Sequence, residues 1–427
     1  MSALKYLPEL LEANVINEDT AERIRRHYRE KKSGSTNRLF IVFGILGALL
    51  VGLGIILIIA HNWDDLSISV KAGLAFVPLV IGQIVCVFVL LRKFDSTGWR
   101  EPSAVFVSLA VGAAMGLISQ IYNIPGNFAS FMLTWMVLVL PVIYVMRSAV
   151  TSLLYICGVT IYGFDTAYAS TQPGGYLYWL LLLAVVPFYY FVLIRRMPKS
   201  NFTVMHNWFL PLAVAILLGG VGQAFTPWMY PAYVSVLAIF LLIGNLSPFQ
   251  YENGFRNGFQ VVGFLGTLVI LIMLSFPDTW RGLHYENATG PGMFYSPEFL
   301  VFVGSAIAAL GLAVYQYRTN LLSRVPVLEL FFIVFAITFI VGLYTPIAVV
   351  LINIYVLALG VWIIREGERR NHLGVLNLGL AVIAILAISR FFDSNISFVV
   401  RGLIFLAVGI GFFLTNYRMI KKRKTDA

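Results

Sequence analysis

The sequence predicts an all-α, polytopic helical integral membrane protein: about fourteen transmembrane helices, both termini cytoplasmic, and a small N-terminal helical hairpin. Three observations lead there. Charged residues make up 12% of the 427 and hydrophobic ones 59%, whereas a soluble globular domain carries about 25% charged. Continuous apolar runs near the ~20 residues that cross a bilayer as a helix recur along the chain, without the alternation of a transmembrane β-strand. With the N-terminus placed inside, 26 of the 30 Lys and Arg fall on the inner side of those runs, as the positive-inside rule requires. A span too many or too few would scramble that split.

Residues 1–38 read as a cytoplasmic helical hairpin and linker. Leu4, Leu7, Leu10 and Leu11 recur at helical spacing. Asn14 ends the first helix, and Asn17 caps the second, with Glu18 and Asp19 in its first turn. That second helix, Thr20 to Lys32, is basic through Arg23, Arg25, Arg26, Arg29, Lys31 and Lys32. The hairpin is expected at the membrane surface, with residues 1–33 as a contact for a cytoplasmic protein partner. This leader is polar and the first apolar run exceeds a signal-peptide core, so that run reads as a retained span.

The transmembrane domain, 39–417, divides into runs at 39–61, 70–91, 103–122, 128–146, 149–165, 176–194, 206–225, 229–246, 258–276, 296–315, 326–344, 346–364, 373–389 and 399–417. A basic cytoplasmic tail, 418–427, follows. The longest outer loop, Pro277 to Tyr295, carries Trp280, Arg281, Tyr285 and Glu286; it is expected to anchor at the interface or to cover an outer opening. The net charge of +10 resides in short loops beside apolar runs, which assigns it to orientation and anionic-lipid contact. No nucleic-acid motif accompanies it, so no nucleic-acid partner is expected. Cys86 and Cys157 sit inside apolar runs without CxxC spacing or a neighbouring His, so they read as small buried residues, with no metal site and no cofactor.

The most informative stretch is VGAAMGLISQIYNIPGN, Val111 to Asn127. Gly112 and Gly116 form a small-xxx-small pair that lets another helix approach closely. Ser119, Gln120 and Asn123 continue on the same side, and Pro125 with Gly126 stops the helix. A second run echoes it at an offset of 103: Leu109, Ala110, Val111, Gly116, Gln120 and Tyr122 align with Leu212, Ala213, Val214, Gly219, Gln223 and Phe225. Both runs point the same way, so a duplication would be a parallel repeat.

Other unusual residues also fall at outer helix ends. Span 1 closes on AHNWDD (Ala60 to Asp65), span 5 on Asp165, and span 13 on RFFD, with Arg390 and Asp393 near one another by helical spacing. Span 14 opens on Arg401, whose candidate partners are Asp64, Asp65 and Asp165. Asn353 and Asn377 read as cross-helix hydrogen-bonding amides, and Glu329 as an interfacial carboxylate. GxxxxGK[ST], HExxH, GxSxG and GxGxxG motifs are absent. His61, beside Asn62 and Asp64, is the one His–carboxylate neighbourhood read as having catalytic possibility, and a single His at a helix end is ordinarily structural.

Several segments resemble the DUF2157 group of predicted bacterial membrane proteins. They are LPELLEANVINEDTAERI (Leu7 to Ile24), GALLVGLGIILIIAHNWDDL (Gly47 to Leu66), GLISQIYNIPGN (Gly116 to Asn127), and RFFD followed by RGLIFLAVGIGFF (Arg401 to Phe413). The resemblance is strongest over the first 145 and last 45 residues. It implies a multi-pass inner-membrane location and the topology above, and no activity.

The function expected is that of a transporter or flippase-like protein for a polar or amphipathic solute. Its expected site is an outer-face polar vestibule of Asn62, Trp63, Asp64, Gln120, Tyr122, Asn123, Gln223, Arg390, Asp393 and Arg401. Arginines there would hold an anionic group, amides orient it, and aromatics line the wall. Gly112, Gly116 and Gly219 serve helix packing, and membrane lipids are the other expected partners. The alternatives are a non-transporting scaffold or envelope-stress sensor, and an intramembrane enzyme acting on a lipid-linked substrate, for which no acid–base pair is identified.

Overall fold

A computed structural model describes residues 7–13, 15–24, 65–169, 175–222, 224–247, 249, 256–283, 288–319, 330–369, 372–391 and scattered positions between 399 and 413. The described residues are 85% helical with no strand. By internal contacts the chain divides into two units, 1–77 with 120–122, and 78–119 with 123–427.

In the first unit, α1 (Leu7–Glu12) precedes a short helix α2 at 18–24. The Val15 amide closes α1 on the Leu10 carbonyl at 3.0 Å. Asn17 caps α2 as expected: its side-chain oxygen accepts from the Thr20 amide at 3.0 Å and the Thr20 hydroxyl at 2.6 Å. Asn14 and the basic half of this helix lie outside the described residues.

The helices that follow are α3 (Ile68–Arg92), α4 (Thr97–Ile121), α5 (Phe128–Met146), α6 (Ala149–Phe164), α7 (Leu177–Phe188), α8 (Asn201–Leu218), α9 (Met229–Gly244) and α10 (Gly258–Leu274). After the short α11 (Pro277–Arg281) come α12 (Pro297–Arg318), α13 (Phe331–Tyr344), α14 (Ile347–Arg369) and α15 (Leu373–Phe391). Ten helical segments among the described residues are long and apolar enough to cross a membrane; the shorter α10 and α13 are apolar as well. Each falls on an expected run. The first expected run, and part of the last, lie outside the described residues. This is a polytopic helical membrane protein. Large apolar side chains point outward, among them Ile84, Leu91, Ile307 and Ile337, an arrangement suited to lipid rather than water.

Short connections alternate the helix directions. Arg147, Arg195, Arg196, Lys199, Arg256 and Arg318 thereby gather at one end of the second unit, the basic end. Two core clusters lie between the ends. Tyr155, Phe188, Leu193 and Leu217 anchor one around α5–α8, while Leu271, Phe335, Phe339 and Ile352 anchor the other around α10, α13 and α14; α9 contributes Leu237 and Phe240 to the first and Leu242 to the second.

Helix α4 starts at Thr97, earlier than expected, and so takes Glu101 into its first turns. It is stopped by backbone geometry ahead of Pro125: Asn123 adopts φ 49°, and the Ile124 amide donates back to the Ser119 carbonyl at 2.9 Å. Asparagine tolerates this left-handed conformation better than most side chains. The stretch ends on Asn127, which forms a reciprocal capping box with Ser130 at the start of α5.

The two glycines of this stretch are not equivalent. A Cβ at Gly112 would strike the Trp135 indole of α5, whose Nε1–H donates to the Ser108 carbonyl one turn away at 2.8 Å. Gly116 meets only Phe131, at 4.0 Å.

The Gly219 counterpart ends its helix. Span 7 was expected to run to Phe225, but α8 stops at Leu218 and tightens into a 3-10 turn at Gly219–Val221. The hydroxyls of Tyr233 and Tyr168 donate to the Ala215 and Ile216 carbonyls at 2.9 and 2.7 Å, the acceptors that the next helical turn would use. A Cβ at Gly219 would collide with both hydroxyls.

Replacing Gly112 with Ala is expected to lower stability by about 1–3 kcal/mol through overpacking against Trp135, despite the better helix propensity of Ala. Gly116→Ala should be neutral or mildly stabilising. Thermal unfolding of the purified protein in detergent checks the pair; equal effects at both positions would reject the assignment of close packing to Gly112.

Candidate functional site

The polar groups of the second unit assemble at helix ends. At the end opposite the basic one, the C-terminus of α10 runs short of backbone donors: the Ser275 and Phe276 amides reach the Ile272 and Met273 carbonyls at 3.2 and 3.4 Å, and no further turn of α10 follows. Side chains supply donors instead. The Ser275 hydroxyl donates to the Ile272 carbonyl at 2.6 Å, the Thr279 hydroxyl to Met273 at 2.8 Å, and the Trp280 indole to Leu274 at 2.7 Å. Asn353 on α14 donates to the Ser275 carbonyl at 3.1 Å and to Val349 on its own helix at 2.7 Å. Asn353 is thus the cross-helix amide expected. Asn377, expected to behave likewise, is exposed on α15.

Arg390, at the end of α15, reaches the same place. Its guanidinium donates to the Ser275 hydroxyl at 2.9 Å and lies 4.4 Å from the centroid of the Phe276 ring. A helix C-terminus is the negative end of the backbone dipole, so a guanidinium is favoured there. The side chain is half-buried.

These residues stand at the mouth of a groove. On α14, Val350, Asn353, Ile354 and Leu357 form one helical stripe; on α15, Ile383, Leu386, Ala387 and Arg390 form its counterpart. The space between them is about 280 Å³. Nearer the basic end the pair closes. A Cβ on Gly379 would lie 2.8 Å from the Gly360 carbonyl, and one on Gly367 would collide with the Leu376 backbone. The result is an apolar slot with an amide and a guanidinium at one end, a shape that admits an apolar chain and an anionic or hydrogen-bond-accepting head.

Of the expected vestibule, Arg390 lies in this groove, joined by Asn353. Gln120 and Tyr122 are exposed, and Asn123 serves the turn after α4. Asn62, Trp63, Asp64, Gln223, Asp393 and Arg401 lie outside the described residues, as do His61 and Glu329. Asp165 ends α6 and opens a π-helical turn, Asp165–Ala169. In the described part of the loop 277–295, Trp280, Leu283, Ala288 and Met293 pack inward while Asp278, Arg281, Phe294 and Tyr295 are exposed. Trp280 is buried against Phe339 and the Gly342 backbone, and the Trp228 indole donates to the Ala288 carbonyl at 2.7 Å. Ser275 and Phe276 carried no signal in the sequence, because their value comes from being the last residues of α10.

The basic end holds a second set of buried polar groups. The Glu101 carboxylate caps α6: it accepts from the Ser148 hydroxyl at 2.5 Å and from the Ala149 and Val150 amides at 3.1 and 3.0 Å. One turn on, the Ser152 hydroxyl lies 3.0 Å from His206 Nε2, and His206 Nδ1 lies 2.7 Å from the Phe202 carbonyl. The carbonyl can only accept, which puts the proton on Nδ1 and makes Ser152 the donor to Nε2. Both side chains are fully buried, so this serine–histidine pair clamps α6 to α8. Beside it the Tyr189 hydroxyl donates to Asn207 at 2.5 Å. Tyr189 opens a π-helical turn, Tyr189–Ile194, just after Pro187 of α7; the wider turn shifts the register of the residues beyond it.

The architecture defines a multi-pass helical membrane protein. Residues 8–152 match the model of a family described as predicted membrane protein (DUF2157), which contains three of the segments on which the resemblance was based. No curated protein and no solved structure gives a significant match.

Glu101→Ala should cost about 1–3 kcal/mol, because it strands buried donors at the start of α6. Glu101→Gln, which retains one acceptor, should cost less. Thermal unfolding in detergent measures both, and a loss no larger than that of an exposed control such as Glu368→Ala would refute the capping role.

Proposed function

We propose that the chain is a transporter or flippase-like protein of a bacterial inner membrane, handling an amphipathic solute with an anionic head. The observation that carries this reading is the half-buried Arg390 guanidinium, held on the α10 C-terminus at the polar mouth of an apolar groove. Arg390 would hold the anionic group, Asn353 would orient it, and the α14 and α15 stripes would take the apolar part. The charge asymmetry supports cytoplasmic termini and a cytoplasmic basic end, which turns the mouth of the groove outward. A scaffold would have no need for a cation recruited from α15 to the rim of a slot.

The test is lipid translocation in proteoliposomes carrying NBD-labelled phosphatidylglycerol, read by dithionite quenching. Wild-type protein should accelerate exchange between leaflets. Arg390→Gln should reduce the rate about tenfold or more, since a hydrogen bond to a charged group is worth about 1.5–3 kcal/mol. Lipid and metabolite profiling of a deletion strain, complemented with wild type or Arg390→Gln, extends the test to other solutes. Equal rescue by the two would sink the proposal.

A further inference from the structure

A second groove lies among α7–α10, distinct from the Arg390 slot in both lining and end. We propose that it is a binding site for an anionic glycerophospholipid of the surrounding bilayer, with one acyl chain in the groove and the phosphate among basic residues at its end.

The groove has a volume of about 480 Å³. It runs from Trp179 near the start of α7 to Ile194 at the end of the π-helical turn, about 20 Å at the rise of a helix. That exceeds the ~15 Å of one leaflet of a bilayer whose hydrocarbon core is about 30 Å thick. Leu210, Pro211 and Val214 of α8 form one wall, and Phe249 and Phe259 close the basic end. Its outer rim faces the lipid: Leu183, Val186 and Tyr190 are 61%, 42% and 43% exposed. Walls of this kind gain dispersion contacts from an apolar occupant, and water gains nothing where almost no hydrogen-bonding group is offered. An acyl chain is the material at hand that fits.

The head end is specified by charge. Arg195 follows directly on Ile194, the last groove residue of the π-helical turn. Its guanidinium lies 5.0 Å from the Tyr190 ring and 5.5 Å from the Phe191 ring, and 3.3 Å from the Tyr190 hydroxyl. Tyr190 itself lines the groove. The cation is therefore docked on the rim, where the phosphate of a chain seated in the slot would arrive. Arg196 and Lys199 follow, and the Arg256 guanidinium donates to the Lys199 carbonyl at 3.3 Å, bringing a fourth cation to the same end. The π-helical turn contributes to both features. It sends Tyr189 inward to Asn207 and leaves the next residue, Tyr190, on the rim under Arg195. Basic residues at the end of an apolar slot select an anionic headgroup over a zwitterionic one.

The experiment is native mass spectrometry of the delipidated full chain, titrated with dioleoyl-phosphatidylglycerol and dioleoyl-phosphatidylcholine. Wild-type protein should bind the first phosphatidylglycerol about fivefold or more tightly than phosphatidylcholine, one cation's share of anionic-lipid attraction. Arg195→Gln should remove most of that preference while leaving phosphatidylcholine binding unchanged. Val214→Trp, which fills the slot, should weaken both lipids. Leu183→Trp at the exposed rim provides a second obstruction should Val214→Trp fail to fold. The same titrations are repeated in the Arg390→Gln background, which removes the anion contact of the proposed transport site; the dependence on Arg195 should persist there, separating the two sites. A preference that survives Arg195→Gln, or lipid binding indifferent to both tryptophan variants, would mean non-specific annular lipid and overturn the site.

Discussion

The backbone groups at the ends of a helix have no water to turn to when those ends lie within or near a bilayer. The C-terminus of α10 shows how this protein meets that constraint. Four consecutive carbonyls, from Ile272 to Ser275, are taken by side chains of Ser275, Thr279, Trp280 and Asn353. Once those acceptors are filled, the same helix end fixes the loop that follows, ties α14 to α10, and offers a negative dipole to Arg390. The start of α6 repeats the logic with opposite sign: two orphan amides and the Ser148 hydroxyl converge on Glu101. Among the described residues, Glu101, Glu298 and Arg390 sit where helices begin or end.

Helix packing follows a complementary rule. With no hydrophobic force between helices in lipid, contact depends on shape and hydrogen bonds. Glycines are placed under bulky partners, as with Gly112 beneath Trp135 and Gly342 beneath Trp280. The indole in each pair also donates to a nearby carbonyl, Ser108 or Leu274. One side chain thereby supplies both shape and polar satisfaction. The clamp of Ser152 on His206 and the bond of Gln316 to the Leu242 carbonyl, 2.6 Å, join helices in the same way without a charge.

Much of this was legible in the sequence. Apolar runs and the asymmetry of basic residues located the helices, because both signals are local and survive any tertiary arrangement. Asn17 was legible as a cap, Arg390 as a candidate site residue and Asn353 as a cross-helix amide, because charge and amides are costly in apolar surroundings. Their partners were not legible. Ser275 matters only as the end of α10, and Glu101 falls just ahead of the expected run 103–122 because hydropathy alone starts the helix too late. His206 carried no sequence signal at all, since its serine partner lies 54 residues away. The break at Gly219 was hidden for a related reason: two glycines tolerate a helix, and it is the tyrosines at 168 and 233 that take its acceptors. The sequence likewise gave Gly112 and Gly116 equal weight, although only one lies under an indole.

The glycine contacts between α14 and α15 have a mechanical meaning. Gly360, Gly367 and Gly379 bring the two backbones together on one side of the pair, while Asn353 and Arg390 stand on the other. Were the pair to tilt about this contact, the helical rods beyond it would act as lever arms. Arg390 lies eleven residues past Gly379, about 16 Å at the rise of a helix. A tilt of about 10° at this contact would therefore displace the guanidinium by about 3 Å, roughly the length of a hydrogen bond. The grip of Arg390 on Ser275 and the gape of the slot would then be two readings of the same angle.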